Sequence, residues 1–439
     1  MNLPALLFPL ALLFAAFDPL AAQVRITGPM PGHADMLEST IWLQCDRAAS
    51  VLLEYWAMEM PDSILRTQEL RAAAEEAFVL KFRMAPVVPG NTYGYRVVAN
   101  GQPLDLGPLQ FRTQPLWRFR TDPPDMVIAM GSCTYVNEPA YDRPGKPYGD
   151  GYRIFDRIAD QKPDLMLWLG DNIYLREPDW GSWSGILHRY THTRSLPEMQ
   201  RLLRSTHHYA IWDDHDFGHN DAVGTFANAH LTRRAFDLFW ANPTSGVPGA
   251  DGITTMFNWS DVDFFLLDDR TFRTLPNLRT SEPALLGQAQ LDWLIQSLVA
   301  SSATFKVVAM GSQFLNTARV FENYAQHALE RQQLIDRIDQ EGITGVIFVT
   351  GDRHFTELSE LKLPDGRSIY DLTTSPLTSG THQPSETNAL AMPDTRVVER
   401  NFAVLRVSGP RHARKLVIEI RDSEGGLKWT REITTPQKR

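Results

Sequence analysis

The sequence predicts an α/β protein in two parts, a small β-sandwich at the N-terminal end and a larger layered α/β/β/α domain behind it. Three observations carry that prediction. The chain has 439 residues, more than one typical domain holds. From about Val24 to Thr113, apolar and polar residues alternate in short runs, which is the period of a half-buried strand. After the proline-marked segment TQPLWRFRTDPPD, continuous apolar runs alternate with amphipathic stretches, as a sheet covered on both faces requires.

In the first part STIWLQCD, SVLLEYW, AFVLKFRM and NTYGYRVVAN read as strands, with PVVPGNTYGYRV a turn followed by aromatics. Strands at this spacing suggest an immunoglobulin-like or fibronectin-like sandwich over residues 24–115. It contains no cluster of His, Asp or Cys and so reads as a packing domain. In the second part, residues 122–439, the apolar strands are MVIAMGSC, DLMLWLGDN, YAIWDDHD, DVDFFLLDDR, FKVVAMGSQ and GVIFVTGDRH. GYRIFDRIADQ, SLPEMQRLLRS, LLGQAQLDWLIQSLVA and ALERQQLIDRIDQ are the helical stretches between them. FAVLRVSG, KLVIEIRD and GLKWTREI return to alternation and are expected to complete the larger domain's second sheet or to pack beside it.

Hydrophobic residues are 43% and charged residues 22% of the chain, ordinary globular usage. A net charge of -9 gains nothing from counterion release, which argues against nucleic acid as a structural partner. Met1 to Phe17 carry no charge, and the apolar run LPALLFPLALLFAAF is shorter than the ~20 residues a membrane-spanning helix needs. It reads as a signal peptide over residues 1–22, with Ala21 and Ala22 ahead of the cleavage point. A periplasmic or secreted protein follows, with an uncleaved anchor as the alternative and no integral membrane domain beyond the leader. The two cysteines, Cys45 and Cys133, fall in different parts, so no structural disulfide is expected and Cys133, close behind Gly131, is a candidate for chemistry.

Five apolar runs stop at turns that hold a potential metal or phosphate contact: Cys133, Asp171, Asp214, Gln313 and Asp352. Strand ends are where loops converge in an α/β sheet. With His215 and His354 among them, so many carboxylates around one point repel each other unless cations lie between. In GDNIY, Asp171 and Tyr174 can reach one ion, and a carboxylate there can bridge two metals ~4 Å apart. A phenolate is a hard anionic donor suited to ferric iron. In WDDHD, helix capping explains one aspartate and leaves the rest for chemistry. In GDRH, Asp352 and His354 stand on alternate positions, with Arg353 between them as a phosphate contact.

Taken in order, GSC (Gly131 to Cys133), GDNIY (Gly170 to Tyr174), WDDHD (Trp212 to Asp216) and GDRH (Gly351 to His354) resemble the motifs of the PhoD-like (alkaline phosphatase D) family. That family places a small β-sandwich before a calcineurin-like metallophosphoesterase domain, so the resemblance covers nearly the whole chain after the leader. It implies a ferric ion at Cys133, Asp171, Tyr174 and His354, and calcium at Asp171, Asp214 and Asp352. In the wider superfamily an Asn-His pair fills the third motif. By that analogy Asp214 takes the Asn place, and His215 becomes the group that stabilises the transition state or protonates the leaving group. Gln313 stands where that superfamily has a metal-binding His, and Asn220 lies just beyond WDDHD; both are candidate substrate contacts. Family members commonly carry a twin-arginine leader, and this sequence has no arginine before Arg25.

The expected function is hydrolysis of a small phosphate mono- or diester by metal-activated water or oxide, with His215 and Arg353 assisting. Two alternatives stay open: a phospholipid-directed phosphodiesterase, and an extracellular binding or adhesion module with a structural metal centre. The stretch DWGSWSGILHRYTHTRS, bearing Trp180, Trp183, Arg189 and Arg194, is expected to form a lid or substrate wall.

Overall fold

The computed structural model describes residues 23–434, so the leader expected over residues 1–22 lies outside the described residues. Alternation in the N-terminal part becomes six main strands: β1 (Ile26–Ala34), β2 (Ser39–Cys45), β3 (Ser50–Ala57), β4 (Val79–Met84), β5 (Thr92–Ala99) and β6 (Leu109–Arg112). β1, β2 and β4 pair antiparallel in one sheet, and β3, β5 and β6 in another. Ile41, Leu43 and Phe82 of the first sheet share a core with Leu53, Tyr95 and Phe111 of the second.

The half-buried reading fails for β2, which is buried on both faces. Ile41 and Leu43 enter the sandwich core, whereas Trp42, together with Met30 and Ala34 of β1, enters the core of the larger part. The Trp42 indole donates to Leu238 O at 3.1 Å, and Gln44 Nε2 donates to Thr191 Oγ1 at 2.8 Å. The sandwich is therefore packed onto the larger part by side chains of its own strands.

The larger part holds β7 (Met126–Gly131), β8 (Leu165–Leu169), β9 (His207–Ile211), β10 (Thr255–Trp259), β11 (Val262–Leu266) and β12 (Phe305–Ala309). After them come β13 (Val346–Thr350), β14 (Glu357–Lys362), β15 (Ser368–Thr373), β16 (Asn401–Ser408), β17 (Lys415–Asp422) and β18 (Leu427–Thr434). They form two six-stranded sheets, ordered β9-β8-β7-β16-β17-β18 and β10-β11-β12-β13-β15-β14. β7, β8 and β9 run parallel in the first, and β11, β12, β13 and β15 in the second. The three C-terminal strands continue the first sheet as an antiparallel meander from β7.

The helices are α1 (Ile154–Asp160), α2 (Trp183–Arg194), α3 (Gln200–Ser205), α4 (Asp214–Phe217), α5 (Ala229–Phe239), α6 (Gln288–Ala300) and α7 (Ala328–Gln340). Strand alternation sorts the layers. Val307, Ile347 and Val349 join Ile128, Leu167 and Ile211 in the core between the sheets. Val308 and Phe348 join Leu294, Leu298, Leu334 and Ile338 of α6 and α7 on the other face. On the first sheet's outer side Trp168 meets Phe155 of α1. The continuous apolar strands are thus buried on both faces, in α/β/β/α order.

Candidate metal centre

The parallel strands of both sheets deliver their C-terminal turns to one place. Gly351 N donates to Gly311 O at 2.9 Å, and Cys133 N to Gly170 O at 3.3 Å. Close approach is possible because glycines stand there. A β-carbon at Gly170, where φ is +87°, would meet Asp213 Cβ at 2.6 Å, and one at Gly311 would meet the Asp213 carboxylate at 2.4 Å. Cys133, Asp171, Asp352 and His354 take φ of +61°, +50°, +63° and +56°. The left-handed region is uncommon outside glycine and costs on the order of 1 kcal/mol or more per residue. Four such residues on three turns mark a place where the backbone is bent to aim side chains inward.

Ligand atoms of Cys133, Asp171 and His354 lie within 4.8 Å of one another, and so do those of Asp171, Asp214 and His215. Tyr174 completes the first group: its hydroxyl donates to Asp171 Oδ2 at 3.1 Å and lies 3.3 Å from His354 Nε2. Cys133 Sγ is 3.5 Å from the same Asp171 oxygen and accepts from Ser375 Oγ at 3.1 Å. The other Asp171 oxygen accepts from His215 N at 3.3 Å. Asp352 comes less close, since its carboxylate belongs to neither triplet; its carbonyl oxygen lies 3.7 Å from Cys133 Sγ. His215 lies ring to ring with Tyr174, centroids 4.3 Å apart. His215 Nδ1 and Asp214 Oδ1 are buried without a hydrogen-bond partner.

Burial and like charge drive these groups toward their neutral forms. Burial, reinforced by Asp214 and Cys133, holds the Asp171 carboxyl well above its usual range. Burial pushes the Cys133 thiol up to about 12, the Asp352 carboxyl up to about 7, and His354 down to about 4. At Asp214 burial opposes ionisation, but His215 and Arg270 outweigh it and hold the carboxyl low. A multivalent cation reverses this by stabilising thiolate, phenolate and carboxylate together. The donor types and the orphaned buried atoms therefore fit metal binding.

Beneath the centre lies a charge network that the motifs did not single out. Arg270, on the turn after β11, donates through Nε to Asp213 Oδ1 at 2.6 Å and through Nη1 to Glu322 Oε1 at 2.9 Å. Arg273 reaches Glu322 at 3.0 Å. Asp213, Asp214 and Glu322 form a third triplet, the one that is wholly acidic, and the Arg270 guanidinium pairs with Asp213 and Glu322 of it. The signal was present, since LLDDR ends an apolar run as the other turns do. Asp216 turns its carboxylate onto the backbone N–H of Asp213 at 3.1 Å and of Asn172 at 3.1 Å. Backbone capping and ion pairing thus occupy two of the WDDHD aspartates, where one was expected.

Several other expectations change. The Arg353 guanidinium, expected as a phosphate contact, is held by the protein: it donates to Gln313 Oε1 and Asn323 Oδ1, each at 2.9 Å, and pairs with Glu386. The Gln313 amide, expected as a substrate contact, bonds to Arg353, Asn316 and Thr373 and braces Arg353. Asn220 is exposed, and it is Asp221 N that reaches the centre, donating to Asp214 Oδ2 at 2.7 Å. The expected lid is the packed helix α2 and its flank. Arg189 is buried against Asp179 and Glu138, Arg194 lies 3.8 Å over the Trp240 ring, and the Trp183 indole donates to Glu75 O. Both cysteines are free, as expected.

Two packed sheets, with a thiol, carboxylates and imidazoles converging where their parallel strands end, place the protein among layered α/β/β/α folds with a candidate metal site at the strand ends. The chain belongs to the PhoD-like phosphatase family, which matches residues 128–413. It is similar to alkaline phosphatase D of Bacillus subtilis (strain 168), 23% identical over 322 residues, covering 62% of this chain and 52% of that protein. The match thus spans about half the length of that relative. Among solved structures, PhoD superposes with a TM-score of 0.74 at 17% identity, over 94% of this chain and 92% of that one. Purple acid phosphatase PPD1 from yellow lupin (Lupinus luteus) seeds superposes at 0.69 with 11% identity, over 93% and 74% of the two chains. At these identities the structural likeness speaks for the fold.

Proposed function

We propose that the chain is an exported metal-dependent phosphoesterase that hydrolyses phosphate monoesters, diesters or both. One observation supports this best: Asp171 lies within ligand distance of Cys133 and His354 on one side and of Asp214 on the other, with His215 beside that second group. A carboxylate common to two donor sets suits two cations ~4 Å apart. Thiol and phenol beside it favour ferric iron on the side of Cys133, Tyr174 and His354. The oxygen donors of Asp214, with Asp352 adjoining, favour calcium. Bound there, the cations would neutralise the phosphoryl oxygens and lower the pKa of the attacking water.

The remaining work falls to the chain. Asp171 aligns both donor sets through its two oxygens. His215, with Nδ1 unpartnered and Nε2 4.0 Å from Asp214 Oδ2, stabilises the transition state or gives a proton to the departing alcohol as the water oxygen bonds to phosphorus and the ester P–O bond breaks. Arg353 holds the backbone between Asp352 and His354 through its anchored guanidinium. The apolar leader supports export, and no helix among the described residues is long and apolar enough to cross a membrane.

Assays with 4-nitrophenyl phosphate and bis(4-nitrophenyl) phosphate, run beside metal analysis, test the reading. Turnover that is lost on chelation and restored by metal supports it. Metal-loaded protein that turns over neither ester returns the site to a structural centre in a binding module.

A further inference from the structure

We propose that the mouth of this centre carries an aromatic platform that selects phosphate esters whose alcohol ends in a planar ring; the proposal rests on the phosphoesterase reading. Phe321 is 59% exposed and has φ +48°. A large apolar side chain held toward solvent by a backbone conformation rare outside glycine calls for a reason. Its ring rests on Arg353, whose guanidinium carbon lies 4.6 Å from the centroid. Because Gln313, Asn323 and Glu386 fix that guanidinium, the ring has a rigid cationic support.

His382 meets Phe321 edge-on, centroids 5.4 Å apart at 73°, and its Nε2 is buried without a hydrogen-bond partner. Both residues are tied to the metal centre. Phe321 adjoins Glu322 of the acidic triplet, and His382 N donates to His354 O at 2.9 Å. Tyr148, 43% exposed, lies against Gly380, where a β-carbon would sit 3.7 Å from its Cδ1. It leans on Tyr135 at 5.5 Å, which leans on Tyr174 at 4.9 Å. Tyr148 thus touches Gly380, two residues before His382, which in turn meets Phe321. A flat alcohol laid on the exposed Phe321 ring gains a stacked face. Aryl groups and nucleobases share that chemistry.

The test compares holoenzyme and Phe321→Leu, which keeps an apolar side chain but loses the ring, on phenyl phosphate, a nucleoside 5′-monophosphate and glycerol phosphate. The KM ratio of ring esters to glycerol phosphate should rise roughly tenfold, with kcat ratios unmoved. The ring ester that loses more tells aryl from nucleobase. Equal changes on all three esters overturn the platform. Calorimetry with phenylphosphonate and methylphosphonate reads it without turnover. Wild type should prefer the phenyl compound about tenfold, and Phe321→Leu and Tyr148→Leu should lose that preference. If wild type hydrolyses none of these monoesters and not bis(4-nitrophenyl) phosphate either, the phosphoesterase reading falls, and the phosphonate pair still decides the platform: no preference overturns it.

Discussion

Tyr174 and Asp171 meet at one oxygen: the phenol donates to Asp171 Oδ2 at 3.1 Å, and Cys133 Sγ lies 3.5 Å from the same atom. The opposite oxygen faces His215 N. Asp171→Asn keeps the shape but removes the charge that both donor sets share. Hydrolysis should fall by about 10³-fold or more, and both bound metals should drop together. Kinetics and metal analysis on one preparation check this, and retained activity would sink the bimetallic assignment.

Tyr174→Phe and Cys133→Ser separate iron from calcium. If phenolate and thiolate both ligate ferric iron, concentrated protein absorbs visible light by ligand-to-metal charge transfer. Tyr174→Phe should shift or bleach that band while the fold persists, because the ring stays packed between Tyr135 and His215. Cys133→Ser should weaken iron retention more than calcium retention, since sulfur suits a transition metal and an alkaline-earth ion prefers oxygen. A colourless, fully active enzyme indifferent to both changes contradicts the iron assignment.

His215→Ala should leave metal content near wild type and slow turnover by about 10²-fold or more, the worth of a proton donor or charge-stabilising group. Its ring touches Tyr174 but makes no hydrogen bond through Nδ1. Complete metal loss in the variant would instead make His215 a ligand.

The turns at Cys133, Asp171, Asp214 and Asp352 were legible because each ends an apolar run in a polar residue, and strand ends in this fold converge. Arg270 ends such a run too, but its pairing with Asp213 and Glu322 joins turns 52 or more residues apart, which no local pattern encodes. The anchoring of Arg353 was illegible for a related reason: its partners Asn323 and Glu386 come from distant loops. In the sandwich, Trp42 stood on the alternate face of a strand with Ile41 and Leu43. Period-two alternation cannot say whether a second face meets solvent or another layer.

Arg270→Met tests whether that network supports the site. Removing one partner of a buried ion pair strands the others, here Asp213 and Glu322, at a cost of about 3–5 kcal/mol. The urea midpoint should fall accordingly at neutral pH. A variant as stable as wild type would show that the buried pair holds nothing together.

At the seam between sandwich and first sheet, His207 should make stability depend on acid. Its Nδ1 faces Gly32 O at 2.8 Å, which can only accept, and its Nε2 faces Arg112 N at 3.3 Å, which can only donate. The ring must therefore be neutral with the proton on Nδ1, and protonating Nε2 breaks the second bond. Burial first, then the Arg112 and His33 charges, hold it down to about 4 from a usual 6.5. Between those values the unfolded chain binds the proton and the folded chain does not, so stability rises with pH across the window. It is fully present above pH 6.5 and is lost as pH falls toward 4, by on the order of 3 kcal/mol. His208 and His327 are also held low by burial, so the readout is a difference between proteins. His207→Gln can donate to Gly32 and accept from Arg112 without titrating. Urea midpoints from pH 7 to 4 should fall less steeply in that variant, and parallel acid limbs would show that His207 carries none of the dependence.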